Sequence, residues 1–143
     1  MPATSASAPN SKIKSQISNL KSQIVWYLPA VLMTVGIAIL SLWEYPTIPK
    51  EIPASDKVLH GIMYALLAIC WIVPAAFQRV AKLPTYALIL VSVTVYGGVM
   101  EILQHCCTVS RSGEMADLYA DFLGGLIGLI LIALCQRLFT TSR

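Results

Sequence analysis

Asp56, His60 and Tyr64 stand four residues apart, the spacing that stacks side chains on one face of a helix. Further along, Gly97 and Glu101 share a face with Gln104 or His105, and Asp117, Asp121, Gly124 or Gly125, and Gly128 share another. Carboxylates beside a histidine are the groups of acid–base chemistry, of headgroup binding, or of an ion pathway. Nothing identifies a nucleophile: Ser55, Ser110 and Ser112 have no demonstrable base. CxxC, GxGxxG, GxxxxGK[ST], HExxH and GxSxG are absent.

These polar columns interrupt a very apolar chain. Of 143 residues, 57% are hydrophobic and 12% charged, with a mean hydropathy of +0.72. A soluble domain carries about 25% charged residues, so lipid is the expected solvent. Four runs are long enough to cross a bilayer: Val25–Trp43, Val58–Phe77, Thr85–Gln104 and Leu118–Phe139. The expectation is an all-α fold, an integral membrane four-helix bundle over residues 24–143. A polar, partly disordered cytoplasmic segment of residues 1–23 precedes it.

Trp26 and Tyr27 at one end of the first run, and Trp43 and Tyr45 at the other, form an aromatic belt. A removed signal peptide is the alternative for this run, but no small-x-small cleavage site follows "AILSLWEYP". In "KSQISNLKSQI", Ile13, Ile17, Leu20 and Ile24 fall at helical spacing beside Lys12, Lys14 and Lys21. An interfacial helix and a solvated tail are both open there.

Charge orients the spans. Lys12, Lys14, Lys21, Arg79, Lys82, Arg137 and Arg143 fall on one side, against Lys50, Lys57 and Arg111 on the other. The positive-inside rule then places both termini and the second loop in the cytoplasm. All seven acids, Glu44, Glu51, Asp56, Glu101, Glu114, Asp117 and Asp121, lie in the outer loops or outer helical turns. Acids weigh little in topology, so their segregation points to an outer polar site. An ion pathway is disfavoured, because the cytoplasmic halves of the spans hold no ionisable residue to continue a relay.

Each column also has a plain structural explanation. Asp56 and Asp117 precede helices, where an acid acts as a cap. Glu101 and Asp121 are deeper. A charge at the bilayer centre costs about 2.5–3.5 kcal/mol, which favours a pairing role for both. Arg111, Lys57 and His60 are the candidate partners of Glu101, with Arg111 the best because its planar fork takes a carboxylate bidentately. The glycines 97, 98, 124, 125 and 128 are expected to pack helices closely rather than form a ligand loop.

"HCC" at His105–Cys107, with His60 as a further ligand, has the ligand types of zinc or copper. Adjacent cysteines wrap one ion badly and no second Cys/His pair exists, so no metal and no cofactor is expected. The four cysteines, Cys70, Cys106, Cys107 and Cys135, are not spaced as a secreted disulfide framework. The basic residues are scattered and form no nucleic-acid-binding face.

Three blocks, "SDKVLHGIMYALLA", "YGGVMEILQ" and "RSGEMADLYADFLGGLIG", carry a resemblance to the VanZ-like family of small multi-pass bacterial membrane proteins. The matching positions are Asp56, Lys57, His60 and Tyr64; Gly98, Glu101 and Gln104; and Arg111, Glu114, Asp117, Gly124 and Gly128. The resemblance covers about Ser55 to Gly128 and the preceding span. Gly61 stands where the family usually has Phe, which is expected to loosen packing beside His60. Asp121 stands where Asn is usual. The resemblance implies a role at the cell envelope linked to resistance to the glycopeptide antibiotic teicoplanin. Some relatives carry a phosphotransbutyrylase label, but no acyl-phosphate or CoA site is visible in this chain.

The expected function is therefore a multi-pass cell-membrane protein whose outer polar site binds an envelope lipid, a lipid-linked wall precursor or a membrane protein partner. Its candidate ligand-binding residues are Asp56, Lys57, His60, Tyr64, Glu101, Gln104, Arg111, Glu114, Asp117 and Asp121. The alternative is a membrane enzyme on a lipid-linked substrate, with His60 and Glu101 as acid and base and Arg111 holding an anionic group.

Overall fold

The computed structural model describes residues 8–43, 53–78, 80–108 and 114–141, with side chains over 13–43, 56–78, 80–108 and 114–139. Four helices make up the fold: α1 (Ala8–Leu42), α2 (Pro53–Phe77), α3 (Leu83–Cys107) and α4 (Met115–Thr141). Among the described residues there is no strand. All four helices are long and apolar enough to cross a membrane. The chain is accordingly an all-α, multi-pass membrane protein by length and composition. Large apolar side chains cover its outside, among them Leu32, Val58, Leu88, Val95, Ile102, Leu131 and Phe139. In water that surface would be a liability; against lipid tails it is the expected solvent-facing side.

The helices exceed the apolar runs at several ends. α1 is continuous for 35 residues, about 52 Å, well beyond a bilayer core of about 30 Å. The "KSQISNLKSQI" segment is thus helical and joined to the first span, with Ile13, Ile17, Leu20 and Ile24 exposed. α1 carries Pro29 and α2 carries Pro74 in their interiors, each removing one N–H from its helix ladder. α3 starts with Pro at its first turn, where no N–H is needed. It runs on to Cys107, three residues past the end expected from hydropathy. Residues 1–7 lie outside the described residues.

The closest packing is between α2 and α4. A Cβ on Gly124 would overlap the backbone carbonyl of Gly61, and one on Gly128 would stand 2.5 Å from the carbonyl oxygen of Ala65. The two helices therefore meet backbone on backbone at consecutive turns, which only glycine on α4 allows. Gly61 does not loosen this region: it is where α4 comes nearest. Gly125 faces α3 instead, in ordinary contact distance of Val93 and Leu90. The core is Ile37, Tyr64, Leu67, Ala68, Ile72, Val93 and Leu129, drawn from all four helices.

Polar clasps hold both ends. At one, the Tyr86 hydroxyl donates to Gln136 Oε1 at 2.7 Å, and Gln136 Nε2 donates to the Ala76 carbonyl at 3.2 Å. Nearer the middle, Tyr96 donates to the Thr34 carbonyl at 2.6 Å, and Trp71 Nε1 to Thr34 Oγ1 at 3.3 Å. These bonds tie α1 to α2 and α3. The other end is the polar cluster that the antiparallel order of α2, α3 and α4 assembles.

Candidate functional site

The first turns of α2 and α4 and the last turns of α3 meet at this end. Lys57 on α2 reaches across to the start of α4, with Nζ 3.0 Å from Glu114 Oε2 and 3.2 Å from Asp117 Oδ1. One turn deeper, His60 Nδ1 lies 3.0 Å from Asp121 Oδ1. The i, i+3 step from Lys57 to His60 is matched by the i, i+4 step from Asp117 to Asp121. Two consecutive pairs therefore lie on consecutive turns of one helix–helix seam.

Glu101 comes in from α3. Its Oε2 accepts the backbone N–H of Glu114 at 2.9 Å. This is a carboxylate at the start of α4, the end where orphan N–H groups and the helix dipole favour an anion. Because α3 continues to Cys107, Glu101 lies six residues inside its end, about 9 Å along the axis. It is 8% exposed. The Arg111 expected as its partner lies outside the described residues, as do Ser110 and Ser112.

Asp121 is the centre of the arrangement. It is 0% exposed. Oδ1 is taken by His60, but Oδ2 is buried with no hydrogen-bond partner. That oxygen lies against Gly97: a Cβ there would stand 2.5 Å from Oδ2 and 3.1 Å from Tyr64 Cε1. The absence of a side chain at position 97 is what makes room for the carboxylate between α3 and α4. Tyr64 closes the inner side, with its ring parallel to that of His60 at 6.4 Å and tilted against Tyr96 at 6.2 Å.

Ligand-type atoms of His60, Glu101 and Asp121 all lie within 4.8 Å of one another, and so do those of Asp56, His60 and Asp117. Asp56 itself is exposed and Asp117 buried. An open cleft of about 410 Å³ adjoins the cluster between α3 and α4, lined by Gly98, Glu101, Ile102, Glu114, Met115 and Leu118 among others. Its lining mixes acidic and apolar side chains.

The structure brings together Asp56, Lys57, His60, Tyr64, Glu101, Glu114, Asp117 and Asp121 from the sequence-derived set. Gln104 goes elsewhere. It is buried and donates from Nε2 to the Ser41 carbonyl at 3.2 Å, fastening the end of α1 to α3. His60 pairs with Asp121 across the seam rather than with Asp56 on its own face. His105, Cys106 and Cys107 are exposed at the end of α3. The apposition of Asp121 and Gly97 went unread in the sequence; the signal for it was the glycine four residues before Glu101. Among the described residues the cluster holds five acids against Lys57 and His60, so its balance is acidic. No protein-family model, no curated protein and no solved structure matches the chain.

Proposed function

We propose that the chain is a VanZ-like protein of the bacterial cell membrane. Its polar end faces outward, both termini are cytoplasmic, and its cleft binds the headgroup of an envelope lipid or lipid-linked wall precursor. The observation that carries this reading is the cleft between α3 and α4 lined by Glu101, His105 and Glu114 together with Ile102, Met115 and Leu118. A groove that mixes acidic and apolar side chains matches an amphiphile. The three blocks that resemble the family supply nearly all of the clustered residues. A part in glycopeptide resistance rests on that resemblance alone.

The acid excess refines the ligand. Lys57 is already engaged by Glu114 and Asp117, so the described residues offer a bare phosphate little. The acidic balance of the described cluster makes an amine-bearing headgroup the better complement. Native mass spectrometry of the detergent-purified protein tests this. One retained lipid is expected, lost or reduced in a Glu101→Gln, Glu114→Gln double variant. A lipid-free spectrum under conditions that preserve lipid on another membrane protein would count against it.

A second reading, an enzyme on a lipid-linked substrate, draws on the His60–Asp121 pair. A carboxylate 3.0 Å from a ring nitrogen orients an imidazole for acid–base work. Release of a modified headgroup from vesicles by the parent protein but not by His60→Gln would favour it.

A further inference from the structure

We infer that His60, Glu101 and Asp121 form a binding site for one divalent transition-metal cation of the zinc or manganese type, buried between α2, α3 and α4. This site is distinct from the cysteine-containing stretch at the end of α3, and it stands whether or not a lipid occupies the neighbouring cleft.

Two independent observations carry it. The first is the convergence of three ligand-type atoms, one from each residue, within 4.8 Å of one another. The second is the orphan Asp121 Oδ2, wholly buried and without a hydrogen-bond partner. A buried carboxylate oxygen with no donor is an expensive arrangement. Here the room that exposes it is built in, because any side chain at Gly97 would collide with it.

Charge points the same way. Two carboxylates and one imidazole sit together in a water-poor, low-dielectric place. The nearest lysine, Lys57, is already shared between Glu114 and Asp117. A dication would balance Glu101 and Asp121 together, which a single hydrogen bond from His60 does not. Among the described residues no other cation reaches them.

The donor set selects the ion. One imidazole nitrogen and two carboxylates suit zinc or manganese, whereas calcium and magnesium prefer oxygen alone. Zinc bonds of about 2.0–2.2 Å put tetrahedral ligand atoms about 3.4 Å apart. His60 Nδ1 and Asp121 Oδ1 are already 3.0 Å apart. A Glu101 carboxylate oxygen lies within 4.8 Å of the other two ligand atoms. Its present bond to the Glu114 N–H uses Oε2, leaving Oε1 for a metal. Three protein ligands leave a fourth position for water or for a group from the adjoining cleft.

The test uses the full chain purified in detergent, treated with chelator, and titrated with zinc or manganese chloride. Isothermal titration and elemental analysis read affinity and stoichiometry. The parent is expected to bind one ion per chain and to melt at a higher temperature with it. Asp121→Asn and Glu101→Gln, which keep side-chain shape, should each weaken binding by at least about 100-fold and abolish the thermal shift. A Cys106→Ser, Cys107→Ser double variant should bind as the parent does. The inference is overturned if the parent takes up no ion, if Asp121→Asn binds unchanged, or if the cysteine variant loses the ion. Circular dichroism of the metal-free variants separates lost binding from lost folding. Should Asp121→Asn fail to fold, His60→Gln is titrated in its place and decides by the same criterion.

Discussion

The Cα of Gly97 faces Asp121 so closely that a Cβ would stand 2.5 Å from the Asp121 carboxylate. A buried acid on α4 is thus accommodated by a missing side chain on α3. Gly97→Ala should force Asp121 or Tyr64 to move, lowering stability by about 1–3 kcal/mol as overpacking does. Gly98→Ala makes only an ordinary contact, 3.8 Å from Leu118, and should gain slightly from helix propensity. Melting temperatures in detergent check the contrast, and equal losses at both positions would refute it.

The α2–α4 seam predicts a second contrast. At Gly128 a methyl would meet the Ala65 backbone, which cannot swing aside, whereas at Gly36 nothing lies within 4 Å. Gly128→Ala should therefore destabilise the protein by about 1–3 kcal/mol. Gly36→Ala should be neutral or stabilising by up to about 1 kcal/mol. Thermal unfolding of the two single variants measures it.

His60 and Asp121 should behave as a coupled pair. Asp121→Asn and His60→Gln are each expected to be damaging, and the double variant to lose less than their sum. A coupling of about 0.5–3 kcal/mol is the expected range for groups in contact. Additive losses in a double-mutant cycle would show that the 3.0 Å contact is energetically idle.

Gln104 should matter to α1 rather than to the ligand. Gln104→Leu removes the donor to the Ser41 carbonyl and should cost about 1–3 kcal/mol, the penalty of an unsatisfied buried acceptor. Hydrogen exchange should rise at Ser41–Trp43 while lipid retention is unchanged. Loss of lipid with no change in exchange would move Gln104 back into the site.

Orientation is checked separately. A reporter active only outside the cytoplasm should be silent when fused after Arg143 and active when inserted near Pro49. The reverse result would turn the polar end inward and remove the envelope ligand from reach.

Hydropathy made the four helices legible, because twenty apolar residues in a row have few other fates. It could not show that α1 begins at Ala8, since helical continuity costs little where polar residues already favour helix. Spacing correctly grouped Asp117 with Asp121 and Asp56 with His60. It gives a face, however, and never the residue across from that face. That is why His60 was read beside Asp56 yet bonds Asp121, and why Gln104 was read toward the cluster yet bonds Ser41. The His60–Asp121 pairing depends on how α2 crosses α4, which the glycines at 124 and 128 set through contacts over 60 residues away in the chain. Arg111, expected as the partner of Glu101, lies outside the described residues.

The seam between α2 and α4 also orders the protein's assembly in time. Every described ion-pair partner of Lys57 and His60 lies at or beyond Glu114, so α2 leaves the ribosome well before the residues that complete it. Until α4 follows, the polar turn of α2 must wait with its flank at Gly61 and Ala65 uncovered. A translation arrest between α3 and α4 would leave that flank open to chaperones, proteases or a neighbouring chain. α4 is therefore a clasp of biogenesis, and its arrival closes the polar turn of α2.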